Sequence, residues 1–208
     1  MKKKMNLPNR LTVLRMCLVP VILLFGMFTP RSEETPWFYI SCLLCAILFA
    51  VAAFTDMLDG RIARKKGLVT DFGKFMDPVA DKFMVISALF VLLYKFPNLQ
   101  TLMIISLIIV VFRELAVTSM RLVVSSGKKI VIAANMLGKI KTVSQIAAIV
   151  FAFLEPVLQY VLRVIFDTNW RTDIVPLTWI LMIFSLVMTL WSGANYIMAY
   201  WKYIDTDK

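Results

Sequence analysis

Four aspartates carry the first chemical signal in this chain. Asp56 and Asp59 stand three residues apart, and Asp77 and Asp81 four apart, within DMLDGRIARKKGLVTDFGKFMDPVAD. If each pair lies on a helix, its two carboxylates share one face. Both helices are joined by a short connection, so the pairs are expected to converge. Four such charges repel one another, and at mid-bilayer each costs ~2.5–3.5 kcal/mol on insertion scales. Bound divalent cations relieve that, and carboxylate oxygens suit Mg²⁺, Mn²⁺ or Ca²⁺. Two ions so held would clamp a pyrophosphate and assist in-line displacement at phosphorus.

Small residues accompany the acids. Gly60 follows Asp56 by four, Ala63 follows Asp59 by four, and Gly73 precedes Asp77 by four. Such a stripe lets a nucleotide or another helix approach the backbone. Arg64 lies on the same stripe and can take a phosphate oxygen. Interfacial acids paired with Arg61, Lys65, Lys66, Lys74 and Lys82 would be the plainer account, but the composite spacing D-x2-D-G-x2-A-R-x8-G-x3-D-x3-D is too long for scattered surface charge. With no histidine in the chain, proton transfer must use a carboxylate, lysine or tyrosine.

The elements that position these residues are apolar. Of 208 residues 60% are hydrophobic, and mean hydropathy is +0.79. A soluble domain is nearer half apolar. Runs long enough to span a bilayer recur, at Leu11–Phe28, Trp37–Met57, Phe75–Tyr94, Leu102–Val124, Thr142–Leu162 and Val175–Ala199. These predict an all-α integral membrane protein of six transmembrane helices in a single domain, 1–208. A short amphipathic interfacial helix is expected over Asn6–Leu14. The basic start, Met1–Lys4, lacks a small-residue cleavage site after it and is expected to be retained.

The net charge of +10 falls mainly at span ends. Lys2–Lys4, Arg10, Arg61, Arg64, Lys65, Lys66, Lys128, Lys129, Lys139, Lys141, Lys202 and Lys208 fall on one side. Arg31, Lys95, Arg163 and Arg171 fall on the other. The richer side is expected in the cytoplasm, with both termini. Anionic lipid explains this charge better than nucleic acid. Trp37, Trp170, Trp179, Trp191 and Trp201 read as an interfacial belt. Pro20, Pro156 and Pro176 are breaks that membrane helices tolerate. Cys42 and Cys45 have CxxC spacing but no second pair, so with Cys17 they read as packing residues. Small residues such as Ser185, Ser192, Gly193 and Ala194 suit helix packing.

The aspartate pattern resembles the signature of the CDP-alcohol phosphatidyltransferase family at every defining position. The resemblance implies six membrane helices, a homodimer, and two divalent ions, Mg²⁺ or Mn²⁺, on Asp56, Asp59, Asp77 and Asp81. It implies Asp81 as the base toward the acceptor hydroxyl, and Gly60, Arg64 and Thr70 as contacts of the CDP moiety, with Ala63 and Gly73 beside them. NLPNRLTVLR, Asn6–Arg15, is similar to the N-terminus of the bacterial phosphatidylglycerophosphate synthase branch, which makes Asn9 and Thr12 candidates at the CDP-diacylglycerol site.

Two further segments bear on the acceptor. RELAVTSMR places Arg113, Glu114 and Arg121 in or near the fourth span, and ionisable groups inside a span are functional candidates. GKIKTVSQ places Lys139 and Lys141 at the start of the fifth. Mutual pairing of Arg113 with Glu114, snorkelling of Arg121 and surface orientation by the lysines are their structural readings. Together, Arg113, Arg121, Lys139 and Lys141 could form a cationic pocket for an acceptor phosphate. RE…R with GK-x-KT-x2-Q resembles the same branch, which implies sn-glycerol 3-phosphate as acceptor, with phosphatidylglycerophosphate and CMP as products. Phosphatidylglycerol or inositol phosphate as acceptor, and a divalent cation transporter, are the alternatives. Against transport, all four aspartates sit at one membrane face, no internal repeat of inverted halves is visible, and Glu155 lies remote on the outer side.

Overall fold

The computed structural model describes residues 6–31, 33, 35–66, 70–128, 136–166 and 175–201, without the side chains of 63–66 and 125–128. Six α-helices follow in order: α1 Leu7–Phe28, α2 Pro36–Lys66, α3 Asp71–Lys95, α4 Gln100–Lys128, α5 Met136–Phe166 and α6 Pro176–Trp201, with a 3-10 turn at Pro97–Leu99. No strand occurs among the described residues. Five of the six helices are long and apolar enough to cross a membrane, and α3 is not among them. Its first half carries Asp71, Lys74, Asp77, Asp81 and Lys82, which dilute the hydropathy expected of the span Phe75–Tyr94. Six helices are present as expected, but α3 falls short of the apolar character of the other five, and it packs between α1 and α4.

A second difference concerns the N-terminus. Asn6 caps α1, accepting from the Asn9 amide at 3.2 Å, and Pro8 sits in the first turn, where its missing N–H is harmless. From there one helix runs unbroken to Phe28. The segment expected as a separate interfacial helix is the first part of this helix, because its polar residues find partners inside the bundle. The buried positions Asn9, Thr12, Arg15, Val19, Ile22 and Gly26 form one stripe, with helical spacing throughout.

That stripe lies against α2 and α3. At Gly26 a Cβ would stand 2.2 Å from Val91 Cγ1, so only glycine permits this approach of α1 to α3. Cys42 and Cys45 are buried, and the Cys45 thiol donates to Ile22 O at 3.8 Å. The core continues through Phe49, Ala52, Met84, Ala88, Leu92, Ile149, Ala152 and Phe153. Large apolar side chains such as Phe28, Phe90, Ile108, Phe112, Leu122, Ile180 and Leu190 are exposed. Such a surface is compatible with lipid and not with water.

The end of the bundle away from the aspartates is tied by two buried charges. Glu155 on α5 caps α6, accepting the Leu177 amide at 2.9 Å, the Thr178 amide at 2.7 Å and the Thr178 hydroxyl at 2.6 Å. A carboxylate there satisfies orphan amides and meets the positive end of the helix dipole. Lys95, at the end of α3, donates to Thr29 Oγ1 at 2.9 Å and Pro30 O at 3.4 Å, and lies 5.0 Å from the Phe38 ring centroid. It joins α3 to the α1–α2 connection.

Candidate active site

Asp56 and Asp59 close the apolar part of α2, while Asp77 and Asp81 occupy the first half of α3. Asp59 is within electrostatic reach of Asp56 and Asp77, and Asp81 of Asp56. Thr70 caps α3, its hydroxyl oxygen accepting from the Gly73 amide at 3.1 Å. The same hydroxyl donates to Asn9 Oδ1 at 2.8 Å. Thr12, one turn after Asn9, donates to Asp77 Oδ1 at 2.6 Å.

Arg15, a further turn along α1, is the residue the sequence reading did not place. It has no exposed surface. Its Nη1 lies 2.5 Å from Asp56 Oδ1, and its Nη2 donates to Asp59 Oδ2. α1 is therefore the third wall of the aspartate site, reading the other two helices through Asn9, Thr12 and Arg15. The signal for Arg15 was its place three residues after Thr12, on the same helix face and at the edge of an apolar run.

Among the described residues no three acidic, thiol or imidazole side chains stand close enough together to hold a metal, with Arg15 engaging the α2 pair. The donor chemistry nonetheless fits a hard divalent cation. Four carboxylates gather at one end of two adjacent helices, and one guanidinium offsets only part of their charge. Gly73 suits a close approach, since a Cβ there would stand 3.3 Å from Asn9 Oδ1 and 3.6 Å from Asp77 Oδ2. Gly60 lies one residue past Asp59 on α2. The side chains of Ala63 and Arg64 lie outside the described residues.

The acceptor candidates do not form one cluster. Glu114 accepts from Arg113 Nη1 at 2.8 Å and from Lys141 Nζ at 2.6 Å, while Arg113 Nη2 donates to Ser192 Oγ at 3.0 Å. Arg113 thereby links α4 to α6, where Gly193 gives its stem room: a Cβ at 193 would be 3.1 Å from Arg113 Cγ. Arg121 and Lys139 are exposed and stand apart from this network. A pocket opens between α3, α4 and α5, lined by Asp81, Lys82, Glu114, Lys141, Thr142 and Gln145, over a floor of Val85, Ile86, Val110 and Ile146. Asp81 belongs to both the carboxylate cluster and this pocket. Lys82 and Gln145 are lining residues that sequence reasoning did not assign.

The described residues thus form a helical, multi-pass membrane protein that gathers carboxylates beside a cation-bearing pocket at one end of its bundle. The sequence profile of CDP-alcohol phosphatidyltransferases matches residues 5–191, and the chain belongs to the CDP-alcohol phosphatidyltransferase family. Divalent-metal dependence is general in that family. Three bacterial relatives, each named CDP-diacylglycerol–glycerol-3-phosphate 3-phosphatidyltransferase, show the extent of the likeness. The Bacillus subtilis protein is 44% identical over 69% of this chain and 74% of its own length. That of Pseudomonas fluorescens is 34% identical over 98% and 94%, and that of Yersinia enterocolitica 32% identical over 96% and 97%.

Proposed function

We propose that this protein transfers the phosphatidyl group of CDP-diacylglycerol to sn-glycerol 3-phosphate, giving phosphatidylglycerophosphate and CMP. The observation that carries this reading is the position of Asp81, shared between the aspartate cluster and the pocket that holds Lys82, Glu114 and Lys141. A nucleophile in that pocket and a pyrophosphate on the aspartates would meet at one carboxylate. The names of the relatives support the same pair of substrates.

Asp56, Asp59, Asp77 and Asp81 would hold two divalent ions, Mg²⁺ or Mn²⁺. When bound, such ions neutralise pyrophosphate oxygens and the charge that develops on the leaving group. Thr12 fixes Asp77 through its hydroxyl. Asn9, Thr70 and Gly73 shape the backbone around the CDP moiety, and Gly60, Ala63 and Arg64 would contact it from α2. Asp81 takes the proton of the acceptor's free primary hydroxyl. That oxygen bonds to the β-phosphorus, the bond from this phosphorus to the CMP oxygen breaks, and CMP departs. Positioning and charge neutralisation supply most of the acceleration. Glu114 holds Lys141 and Arg113 at the pocket, and Arg121 and Lys139 would draw an anionic acceptor toward it from solvent. The chain would act as a single membrane domain, as a homodimer, in a bacterial plasma membrane with the aspartate end and both termini cytoplasmic.

The test is CMP release by purified protein in detergent with CDP-diacylglycerol and Mg²⁺ or Mn²⁺. Glycerol 3-phosphate, inositol phosphate, serine and phosphatidylglycerol are offered separately. Release with glycerol 3-phosphate alone, abolished by EDTA, is expected. Release with another acceptor instead overturns the substrate assignment and leaves the aspartate chemistry standing.

A further inference from the structure

The cations in and beside the pocket are not equivalent. Lys141 and Arg113 are both committed to the single carboxylate of Glu114. Lys82, the residue after Asp81, has no carboxylate partner among the described residues, and its ammonium is held by a neutral group, the Thr118 hydroxyl, at 2.5 Å. Of the two lysines that line the pocket, it is the one not matched by an acid among the described residues. Gln145, one turn past Lys141 on α5, is only 3% exposed, and its side-chain Nε2 has no hydrogen-bond partner among the described residues. A buried amide donor without a partner is costly and unusual enough to need an explanation. Both side chains line the pocket that Asp81 enters.

We infer that Lys82 binds the phosphate of the acceptor and that Gln145 donates to the acceptor's secondary hydroxyl, so that these two residues orient the primary hydroxyl toward Asp81. The assignment rests on the proposed reaction and names the side chains that choose its acceptor. A three-carbon polyol phosphate offers what the pocket lacks: an anion for Lys82 and a hydroxyl oxygen for Gln145. Thr118 holds the Lys82 ammonium in place before the acceptor arrives, so less side-chain freedom is lost on binding. Glu114 keeps Lys141 and Arg113 from binding the phosphate in a competing pose.

Steady-state CMP release by the purified full chain tests this, with glycerol 3-phosphate and CDP-diacylglycerol varied in turn. Lys82→Gln is expected to raise KM for glycerol 3-phosphate about 10- to 100-fold, the size of a lost charge-assisted hydrogen bond. KM for CDP-diacylglycerol is expected to stay as in wild type, and Lys82→Arg to recover most of the loss. Thr118→Val, a milder change, is expected to raise the same KM a few-fold should Lys82→Gln fail to fold. Gln145→Leu separates a binding role from a packing role: removal of an unpartnered donor should raise the melting temperature while KM for glycerol 3-phosphate also rises. An unchanged KM for glycerol 3-phosphate in folded Lys82→Gln, or in Thr118→Val where the former does not fold, overturns the inference while the reaction stands. Wild-type protein that releases no CMP with glycerol 3-phosphate overturns the reaction and the inference together.

Discussion

At the scale of single residues, the site is a balance of charge in which the four carboxylates are held in three different ways. Asp77 accepts a hydroxyl, Asp56 and Asp59 share a guanidinium, and Asp81 faces the pocket. Asp81→Asn would remove the proposed base but keep the shape, so turnover should fall below detection while CDP-diacylglycerol still binds. Near-normal CMP release from that variant would show that another group takes the proton. Arg15→Ala should behave differently. Breaking a buried ion pair leaves uncompensated charge and costs about 3–5 kcal/mol. The melting temperature in EDTA should therefore drop by several degrees, and Mn²⁺ should restore more of it than in wild type, because a cation then fills an otherwise empty place. A melting curve for Arg15→Ala that Mn²⁺ leaves unmoved would contradict that reading. The aspartates were legible in the sequence because i,i+3 and i,i+4 spacing is a local property. Arg15 was not, since a lone cation at the edge of an apolar run reads as an interfacial anchor. Its partners lie more than 40 residues away.

At the scale of helices, α1 decides whether the site assembles, because it touches both aspartate-bearing helices through Thr12 and Arg15. Its register depends on the close approach at Gly26. Gly26→Leu forces Val91 aside, and overpacking of this kind costs about 1–3 kcal/mol. The melting temperature and activity should both fall, since α1 also carries Thr12 and Arg15. Val91→Ala in the same chain should recover part of each. Thermal melts of the single and double variants measure this, and an absence of rescue would place the fault elsewhere than the α1–α3 contact. Glu155 offers the contrast. Glu155→Gln weakens the cap on α6 at the far end of the bundle, so stability should decline by about 0.5–2 kcal/mol, the worth of a helix cap, with KM for either substrate unchanged. Helix existence was readable from apolar runs, but the continuity of α1 was not. Its first turns look amphipathic, and only the tertiary partners of Asn9, Thr12 and Arg15 show that their polar face turns inward.

At the scale of the whole molecule, the distribution of basic residues makes the last prediction. The aspartate end holds the start of α1, the end of α2, the start of α3, the end of α4 and the start of α5. The opposite end holds the α1–α2 connection, the turn at Pro97–Leu99 and the start of α6. Lys and Arg are far denser at the first end, and from the positive-inside bias that end is predicted to face the cytoplasm. This orientation also suits the chemistry, because a charged three-carbon phosphate made inside the cell then reaches the pocket from its own compartment. Alkaline phosphatase, which folds only outside the cytoplasm, should be inactive when fused after Trp201 and active when fused after Asn98. Green fluorescent protein should show the reverse pattern. Active phosphatase after Trp201 would invert the topology and require the acceptor to come from outside. The sequence could state this bias because it is counted over connections, whereas the burial of Lys95 against Thr29 and Pro30 depends on a contact that no count of charges contains. Moving two lysines from the aspartate end to the α1–α2 connection should therefore weaken insertion in the native sense. Substitution of Lys95 itself should lower the melting temperature and leave the orientation as it is.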